Sequence, residues 1–384
     1  MKQGWEYKKL GEVCEVVTGT TPRTNIPEYW GKGHYWVTPA ELTDTTVYVD
    51  KTERQITDEA LDKTKLRLLP IGTVLLSSRA PIGKVAITNI EMYCNQGFKN
   101  CICSDSINNK YLFYFLRLKK DFLNSLGRGA TFKEISKSIV ENIKLPLPPK
   151  STQLAIVSEL DKINELIRLK KEQLKDFDNL AQSIFYEMFG DPVENEMGWE
   201  VKKLGEIGEL ARGVSKHRPR NAPELLGGKM PLIQTGDVAN SDFYIRKYSS
   251  TYSDLGVAQS KVWEAGTLCI TIAATIGKCA ILSFTACFPD SVVGYKPNKD
   301  TNTIYMFFIF KNMQKMLEEF APGVAQKNIN LKILSGLNIP LPPLPLQHLF
   351  AQRIEQIEHQ KAEVQKAIAD LETLLASRMQ YWFE

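Results

Sequence analysis

Four short stretches of the chain mix arginine or lysine with glycine, threonine, asparagine or glutamine. They read SSRAPIGK, GRGATFK, RGVSKHRPR and GVAQKN, at residues 77–84, 127–133, 212–220 and 323–328. Cationic side chains suit phosphate oxygens, and hydroxyl and amide groups suit the edges of bases. Taken alone, each stretch is more typical of a solvated surface loop. Their recurrence at equivalent places in two halves of the chain favours binding of nucleic acid.

Sixteen residues are the candidate DNA contacts. In the first half of the chain they are Thr21, Arg23, Arg79, Lys84, Arg128, Thr131 and Lys133. In the second half they are Arg212, Lys216, His217, Arg218, Arg220, Lys278, Gln326, Lys327 and Asn328. His217 lies among basic residues, so we expect a DNA-loop or surface residue there rather than a catalytic base.

The patterns of an enzyme that acts alone are incomplete. Ser78 and Ile272 stand where a phosphate-binding loop needs its first glycine. The stretches LPPK and LPPL do not supply the Asn/Asp-Pro-Pro-aromatic motif of an amino-methyltransferase. Pro289-Asp290 resembles part of a nuclease metal site, but no acidic-x-lysine partner follows it. We therefore predict a non-catalytic protein without a cofactor.

Histidine and cysteine spacing gives no metal site. The four histidines lack ligand spacing, and the seven cysteines include no C-x-x-C pair. The cysteines are predicted to be reduced, half-buried packing residues. The start of the chain, MKQGWEYKKLGEV, has no apolar run for a signal peptide, and no stretch approaches the roughly 18 apolar residues of a membrane helix. We expect a cytoplasmic protein.

The basic stretches belong to one module that is written twice. At an offset of 194, GWEYKKLGEVCEVVTG (residues 4–19) matches GWEVKKLGEIGELARG (residues 198–213) at ten of sixteen positions. The offset persists in GTVLLSSRAPIGKVAI and GTLCITIAATIGKCAI, and in the phrases LPLPP and IPLPP. A period this long indicates a duplicated domain rather than a solenoid.

Each copy has the same predicted order of elements. Short strand-like runs such as HYWVTP, GTVLLSS and KVAITNI are separated by turn residues, and the amphipathic segment NKYLFYFLRLKKDFLNSL follows. This order predicts an α+β globule. The proline phrase then favours a rigid lead-in to a helix, and a ligand for an aromatic groove is the alternative.

A long, glycine-free segment with a coiled-coil seam follows each proline phrase. The first seam is predicted to contain Ile156, Leu160, Ile163, Ile167, Lys170, Leu174, Phe177, Ala181, Ile184 and Met188. The second is predicted to contain Phe350, Ile354, Ile357, Lys361, Val364, Ile368, Leu371, Leu375, Arg378 and Trp382. If the seams pair, the helices run antiparallel and separate the globules in a pseudo-twofold dumbbell.

Net charge places the basic residues in the globules. The helical segments, residues 150–190 and 347–384, sum to −3, whereas the whole chain is +4. The remainder therefore carries +7, a sign that suits the phosphate backbone of nucleic acid.

The tandem order of these motifs resembles one family. The openings GWE.KKLGE, the turns RAPIGK and AATIGK, the stretches NQGF and FPDSVVG, and the two PLPP exits are similar to the specificity subunit of type I restriction-modification systems. The resemblance covers essentially the whole chain. It implies target recognition domains at residues 1–149 and 195–343 and spacer helices at residues 150–190 and 344–384.

The resemblance also implies a function. Each recognition domain would read one half of a split duplex DNA site. The helices would dock S-adenosylmethionine-dependent methyltransferase subunits, expected to number two, and restriction and translocation subunits would join through these. Two alternatives stay open: a specificity subunit of a related type II system with fused restriction and methylation, and a coiled-coil adaptor whose globules bind protein.

Overall fold

The computed structural model describes residues 5–79, 81–129, 133–273, 275–319 and 329–384. Its internal contacts divide the chain into two compact units. Unit 1 combines Met1–Lys171 with Lys366–Glu384, and unit 2 is Glu172–Gln365. Each unit contains one globule, called head 1 (residues 5–149) or head 2 (residues 199–343), and one stretch of each long helix. The domain limits drawn from the repeat remain a prediction.

Head 1 alternates short strands with short helices. Its described strands are β1 (Glu6–Lys9), β2 (Cys14–Thr18), β3 (Trp30–Val37), β4 (Tyr48–Val49), β5 (Arg54–Ile56), β6 (Val74–Leu76), β7 (Val85–Thr88), β8 (Tyr93–Cys94), β9 (Lys99–Cys103) and β10 (Lys144–Leu147). Its described helices are α1 (Leu10–Val13), α2 (Asp58–Lys63), α3 (Asn109–Leu118), α4 (Lys120–Ser125) and α5 (Lys137–Glu141), and the long helix α6 (Lys150–Phe189) follows.

Head 2 follows the same plan. Its described strands are β11 (Val201–Lys203), β12 (Gly208–Arg212), β13 (Leu226–Leu232), β14 (Tyr244–Ile245), β15 (Ser250–Tyr252), β16 (Val262–Trp263), β17 (Leu268–Thr271), β18 (Cys279–Leu282), β19 (Ala286–Cys287), β20 (Val292–Pro297) and β21 (Asn338–Pro340). Its described helices are α7 (Thr235–Ala239), α8 (Asp254–Ala258), α9 (Thr303–Glu319) and α10 (Leu331–Ser335), and the long helix α11 (Leu344–Phe383) follows.

The two heads share the topology of their large sheet, and the small sheet of head 2 has one more strand than that of head 1. A five-stranded sheet has the order β2-β9-β6-β7-β4 in head 1 and β12-β20-β17-β18-β14 in head 2. A second sheet has the order β5-β3-β8 in head 1, and β15-β13-β19-β16 in head 2. The entry and exit strands pair with each other, β1 with β10 and β11 with β21. This agreement confirms the predicted pair of similar α+β domains.

The five-stranded sheet of head 1 is covered on both faces. Val74 and Leu76 of β6 point into one apolar cluster, and Leu75 points into another, because successive side chains of a strand alternate. Helix α3 contributes six consecutive buried residues, 111–116, to the first cluster. The helix is therefore buried over most of its surface although its sequence is amphipathic as predicted, and the predicted helical segment is interrupted at Lys119 between α3 and α4.

Cysteines are more buried than their sequence contexts predict. Cys14, Cys94, Cys101, Cys269, Cys279 and Cys287 are buried, and Cys103 is half-buried. Burial raises the pKa of Cys94 to about 12, an effect that the hydrogen bond from Asn100 opposes. A neutral thiol in such a place packs like a small apolar side chain.

The duplicated proline phrases join each head to its long helix. Gln153, which is fully buried, donates to the carbonyls of Pro148 (2.9 Å) and Ser106 (3.0 Å) and accepts the Asn108 N–H (2.8 Å). Gln347 makes the same three bonds 194 residues later, with the carbonyls of Pro342 and Asp300 and the Asn302 N–H. Each phrase is therefore the structural lead-in that the sequence favours.

The long helices pair in antiparallel fashion within each unit. In unit 1, Glu159 contacts Arg378, and Lys171 lies 2.7 Å from Glu372. In unit 2, the Lys361 ammonium lies 2.7 Å from Asp178. The residue numbers of the paired side chains therefore rise along α6 as they fall along α11. All predicted seam positions are buried or half-buried. None of the helices that the structure describes has the length and apolarity needed to cross a membrane.

The charged interruptions of the seams are paired. Lys361 is 6% exposed and also lies 2.8 Å from Glu358. Burial alone would lower the pKa of this lysine, but its hydrogen bonds to Asp178 and Glu358 outweigh that effect and raise it. In unit 1, the Glu159 carboxylate accepts from Arg378 (3.1 Å) and from the Trp382 indole (3.0 Å). The seams therefore combine apolar packing with specific ion pairs, which fix the helix register.

Candidate nucleic-acid interface

The predicted contacts meet at one end of the five-stranded sheet in each head. Strands β2 and β6 end where β9 and β7 begin, because β2 pairs with β9 and β6 pairs with β7 in antiparallel fashion. The segments at this end are residues 19–23, 77–84, 95–98 and 127–135, of which 80 and 130–132 lie outside the described structure. We call them the loop end of head 1.

Head 2 has an equivalent loop end. It comprises residues 213–220, 271–278, 288–291 and 329, and residues 274 and 320–328 lie outside the described structure. Strands β12 and β17 end there, and β20 and β18 begin there. The repeat therefore brings the described parts of the basic stretches in both copies to the same place on the fold.

Backbone hydrogen bonds tie these segments together. In head 1, Ser78 N–H donates to the Gly97 carbonyl (2.7 Å), and Ile135 N–H donates to the Ser78 carbonyl (3.0 Å). In head 2, the same two bonds link Ile272 to Ser291 and Ile329 to Ile272, each at 3.1 Å. The loop ends are thus built on a common backbone frame even though their side chains differ.

Glycines permit the tight approach of the segments. A Cβ atom on Gly19 would lie 2.1 Å from the Asn95 carbonyl oxygen, and one on Gly213 would lie 2.1 Å from that of Phe288. Gly83 and Gly277 have φ values of +89° and +76°, which side-chain-bearing residues rarely adopt. These positions explain why the IGK turn occurs in both copies.

Three predicted cations of head 1 are open at the loop end. Arg23, Arg128 and Lys133 are exposed, and no described residue hydrogen-bonds to their charged groups. Lys84 differs, because its ammonium donates to the Pro39 carbonyl (3.2 Å). Thr21 donates its hydroxyl proton to the Gln96 side chain. Thr131 lies outside the described residues.

Arg79 of head 1 is held by an acidic neighbour. Its Nε donates to Glu134 Oε2 at 3.0 Å, and Glu134 Oε1 accepts from the buried Lys99 ammonium at 3.1 Å. Partial burial opposes ionisation of Glu134, but the two cations prevail and lower its pKa. Lys99 and Glu134, which lie 35 residues apart, are not among the predicted contacts.

The basic loop of head 2 is braced by a glutamine. Gln259 Oε1 accepts the backbone N–H groups of Lys216 (2.6 Å) and His217 (3.0 Å), so both side chains are left exposed. Arg218 folds back and donates to the Ser215 carbonyl (2.5 Å) and the His217 carbonyl (2.9 Å). The loop is therefore ordered by its own backbone acceptors and by Gln259.

Asp290 is the acidic partner of this loop. Arg220 approaches both of its carboxylate oxygens, at 2.7 and 2.8 Å, and Arg218 lies 3.9 Å away. Asp290 occupies the position that Gln96 holds in head 1. The residue that resembled half of a nuclease site thus pairs with arginine. Among the described residues, no group of three or more His, Cys, Asp or Glu side chains could hold a metal ion.

The remaining predicted contacts of head 2 vary in exposure. Lys278 is exposed in the IGK turn, and Arg212 is half-buried at the end of β12. Neither has a charged partner among the residues that the structure describes. Gln326, Lys327 and Asn328 lie outside the described residues. The structure therefore brings together the described candidates of each head at its loop end.

Aromatic and cationic side chains also stack in both heads. The Arg54 guanidinium lies 3.5 Å from the ring centre of Trp30, and the Lys261 ammonium lies 3.9 Å from that of Trp263. The sequence analysis did not select these residues, because the partners lie on separate strands or outside the basic stretches. Such cation–π pairs orient the cation and hold it in place.

The long helices carry apolar side chains that are only about half covered by their own unit. On the unit 1 stretch of α6, Leu154, Leu166 and Leu169 are exposed by 50%, 47% and 46%. Leu154 and Leu166 border a shallow groove with Val157, and its polar lining contains charges of both signs, from Asp161, Lys162 and Glu165. Exposed leucines along one helix are typical of a protein-binding surface.

Comparison with known proteins places this geometry in a family. The model of the type I restriction modification DNA specificity domain matches residues 2–176 and 196–373. The type I restriction enzyme MjaIX specificity subunit of Methanocaldococcus jannaschii is 35% identical over 248 residues, which cover 60% of this chain and 57% of that protein. The putative MjaX specificity subunit of the same organism is 25% identical over 405 residues, which cover 97% and 93%.

Two solved structures share the fold. One comes from a study of complex assembly and conformational transition of the type I R-M system; it has a TM-score of 0.66 and 21% identity, over 99% of this chain and 97% of that one. The other is the S subunit of a type I restriction-modification system from M. genitalium, with a TM-score of 0.57 and 15% identity, over 99% and 96%. Because the family model matches both halves over most of their length, this protein belongs to the type I restriction-modification DNA specificity family and carries two copies of its domain.

Proposed function

We propose that each head reads one half of a split duplex DNA site through its loop end. The observation that carries this proposal is the equivalent placement of two basic loop ends on one duplicated backbone frame. Open cations such as Arg128 and Lys216 would contact phosphates. The hydroxyl and amide groups beside them would reach base edges in a groove.

The test of DNA binding uses the full chain together with its methyltransferase partner. Binding to duplex DNA should weaken steeply as salt rises, since each neutralised phosphate contributes about −0.9 to the log–log slope. A flat salt response would contradict the proposal and would favour a protein-binding adaptor instead.

The two heads should act as separable readers. Replacing Arg212, Lys216, Arg218 and Arg220 by alanine should weaken reading of the second half-site alone, because those residues belong to head 2. The matched control replaces Arg23, Arg128 and Lys133 by alanine, and should affect only the first half-site. Mapping of methylated sites in cells would give both sequences. If either variant altered both half-sites, the separable-reader model would be wrong.

The exposed helix surface suits the methyltransferase subunits. Charged side chains of both signs, Asp161, Lys162 and Glu165, lie beside apolar ones in this groove, a combination that supports a specific protein contact. Leu166→Glu should reduce co-purification with the methyltransferase subunit and leave DNA affinity of the isolated chain unchanged. Lys144→Glu, at the start of head 1 strand β10, also introduces a carboxylate on the surface and should not affect co-purification.

The chain itself should transfer no methyl group. Family membership and the sequence patterns support a recognition subunit that depends on catalytic partners. Labelled S-adenosylmethionine should modify cognate DNA only after a methyltransferase subunit is added. Methyl transfer by the rigorously purified chain alone would overturn this part of the proposal.

A further inference from the structure

Head 1 contains a buried lysine directly beneath its loop end. Lys99, at the start of β9, is 5% exposed, and its ammonium donates to Glu134 Oε1 (3.1 Å) and Ser78 Oγ (3.3 Å). Burial of an ammonium is costly unless it is paired and hydrogen-bonded. Glu134 supplies that charge, and its other oxygen accepts from Arg79 Nε (3.0 Å). Lys99, Glu134 and Arg79 therefore form a chain of charges from the core to the surface, here called the head 1 triad.

The triad is attached to two loop segments. Glu134 exchanges both backbone hydrogen bonds with Arg128, each 3.0 Å long, and the next residue, Ile135, donates to the Ser78 carbonyl. Arg79 pairs with Glu134 through a backbone bridge as well as through its side chain. The carboxylate is thus fixed by its own backbone on one side and by Lys99 on the other. An arginine held by such a carboxylate loses most of its freedom to rotate.

The outer end of Arg79 remains available. Its side chain is 45% exposed, and the contact with Glu134 uses Nε. No described residue hydrogen-bonds to either Nη group, so two terminal nitrogens are free to donate side by side. Paired donors on a rigid plane match O6 and N7 of guanine in the major groove. The same paired donors also fit a phosphate, so a base contact is distinguished from a phosphate contact by its effect on base preference and not by donor geometry.

The second copy shows that the fold does not need the triad. At the offset of 194, Arg79, Lys99 and Glu134 correspond to Ala273, Val293 and Asn328, of which Asn328 lies outside the described residues. Head 2 nevertheless keeps the two backbone bonds that frame the turn, from Ile272 to Ser291 and from Ile329 to Ile272. Head 1 has all three charged residues, and the sequence of head 2 has none of them. The triad is therefore a feature of head 1 and not of the common scaffold.

We propose that Arg79 reads a guanine in the half-site of head 1, and that Glu134 and Lys99 are its positioning residues. The inference rests on the proposed function, because it assigns a base to a DNA-reading head. It also explains why a buried ammonium occurs at this place. An ion pair of this kind adds little to stability on balance, and its gain is the orientation of a group at the surface.

The experiment selects binding sites from a DNA library randomised at both half-sites, using the full chain with its methyltransferase partner. The wild type should require guanine at one position of the first half-site. Arg79→Ala removes both donors, and should reduce preference for that guanine on the order of ten- to a hundredfold. The double variant Lys99→Met, Glu134→Gln leaves no unpaired buried charge, and should reduce the same preference less, because the arginine remains but is no longer fixed.

Two controls separate reading from folding and from charge. The triple variant Arg79→Ala, Lys99→Val, Glu134→Asn copies the residues of head 2, so it should fold with a normal melting temperature and lose the guanine preference. Lys133→Gln removes a neighbouring charge, and should weaken binding without changing the base preference. In every variant the second half-site should keep its sequence.

Three outcomes would overturn the inference. They are a first half-site without guanine, a full guanine preference in Arg79→Ala, and a uniform loss of affinity at all positions, which would indicate a phosphate contact. Absence of any selected sequence in the wild type is distinguishable from these, because it would refute the proposed DNA-reading function itself.

Discussion

Replacing Asp290 with asparagine would free the Arg220 guanidinium for DNA while leaving the size of the side chain almost unchanged. In the present structure Arg220 contacts both carboxylate oxygens of Asp290, at 2.7 and 2.8 Å. A phosphate that approaches head 2 must therefore compete with this carboxylate. We expect Asp290→Asn to raise the affinity for duplex DNA of any sequence and to steepen its salt dependence.

The size of the effect follows from the exposure of the pair. The side chains of Arg220 and Asp290 are 45% and 36% exposed, so their interaction contributes at most about 1 kcal/mol. In the variant, Arg220 does not have to break this ion pair before it contacts a phosphate. The affinity for DNA should therefore rise by up to about fivefold. One additional phosphate contact steepens the log–log slope by about 0.9, so a fourfold rise in salt should weaken the variant roughly three to four times more than the wild type.

Fluorescence anisotropy with a labelled duplex of scrambled sequence measures this directly. The matched control is Gln96→Asp, which places a carboxylate at the equivalent position of head 1 and should change affinity and slope in the opposite direction. Unchanged affinity and slope in Asp290→Asn would show that Arg220 does not contact phosphate. A loss of sequence preference at the second half-site would instead show that Asp290 itself contacts a base.

Three other predictions concern the frame that holds the heads. Phe383→Ala should destabilise unit 1 by about 3–5 kcal/mol, and Phe189→Ala should do the same to unit 2, each seen as faster hydrogen exchange in its own head only. The hydrogen bond from Arg378 lowers the pKa of Glu159 against the opposing effect of burial. The stability that this pair contributes is therefore present above the ordinary glutamate pKa and is lost as pH falls through the lowered value. Glu159→Gln should make the free energy of unfolding of unit 1 depend less on pH below about pH 4.5. One heptad inserted at facing positions of both long helices lengthens each by ~10 Å, and should widen the unread gap of the selected DNA site by one to about three base pairs; an unchanged gap with tight binding would show that the helices do not set it.

The fold was predictable because it depends on patterns that recur. The 194-residue offset identifies two domains without any knowledge of their structure, and the alternation of strands and turns gives their class. The seams were predictable down to individual positions, including Lys361, because helical spacing is local. The degree of burial of α3 was not, since an amphipathic helix that is buried over most of its surface differs from a half-exposed one only through its neighbours.

The candidate interface was predictable as a set of loops but not as a set of contacts. Basic composition selects residues such as Arg79 and Arg220, yet it gives no information on what already pairs with them. Glu134 lies 55 residues from Arg79, and Asp290 lies 70 residues from Arg220. Only the antiparallel pairing of distant strands brings these partners together, and no local pattern encodes it.

The discontinuity of unit 1 has a consequence for synthesis on the ribosome. Phe383 is 3% exposed, and its ring lies 5.0 Å from that of Tyr111 and 5.9 Å from that of Phe115. Unit 2 uses only residues 172–365, so its core can form before residues 366–384, which complete the core of unit 1, have been synthesised. At ~5–20 residues per second, synthesis from residue 171 to the end of the chain takes roughly 10 to 40 s. The half of the protein that emerges first is therefore the half that is finished last, and a nascent chain interrupted in α11 would leave the aromatic face of α3 uncovered.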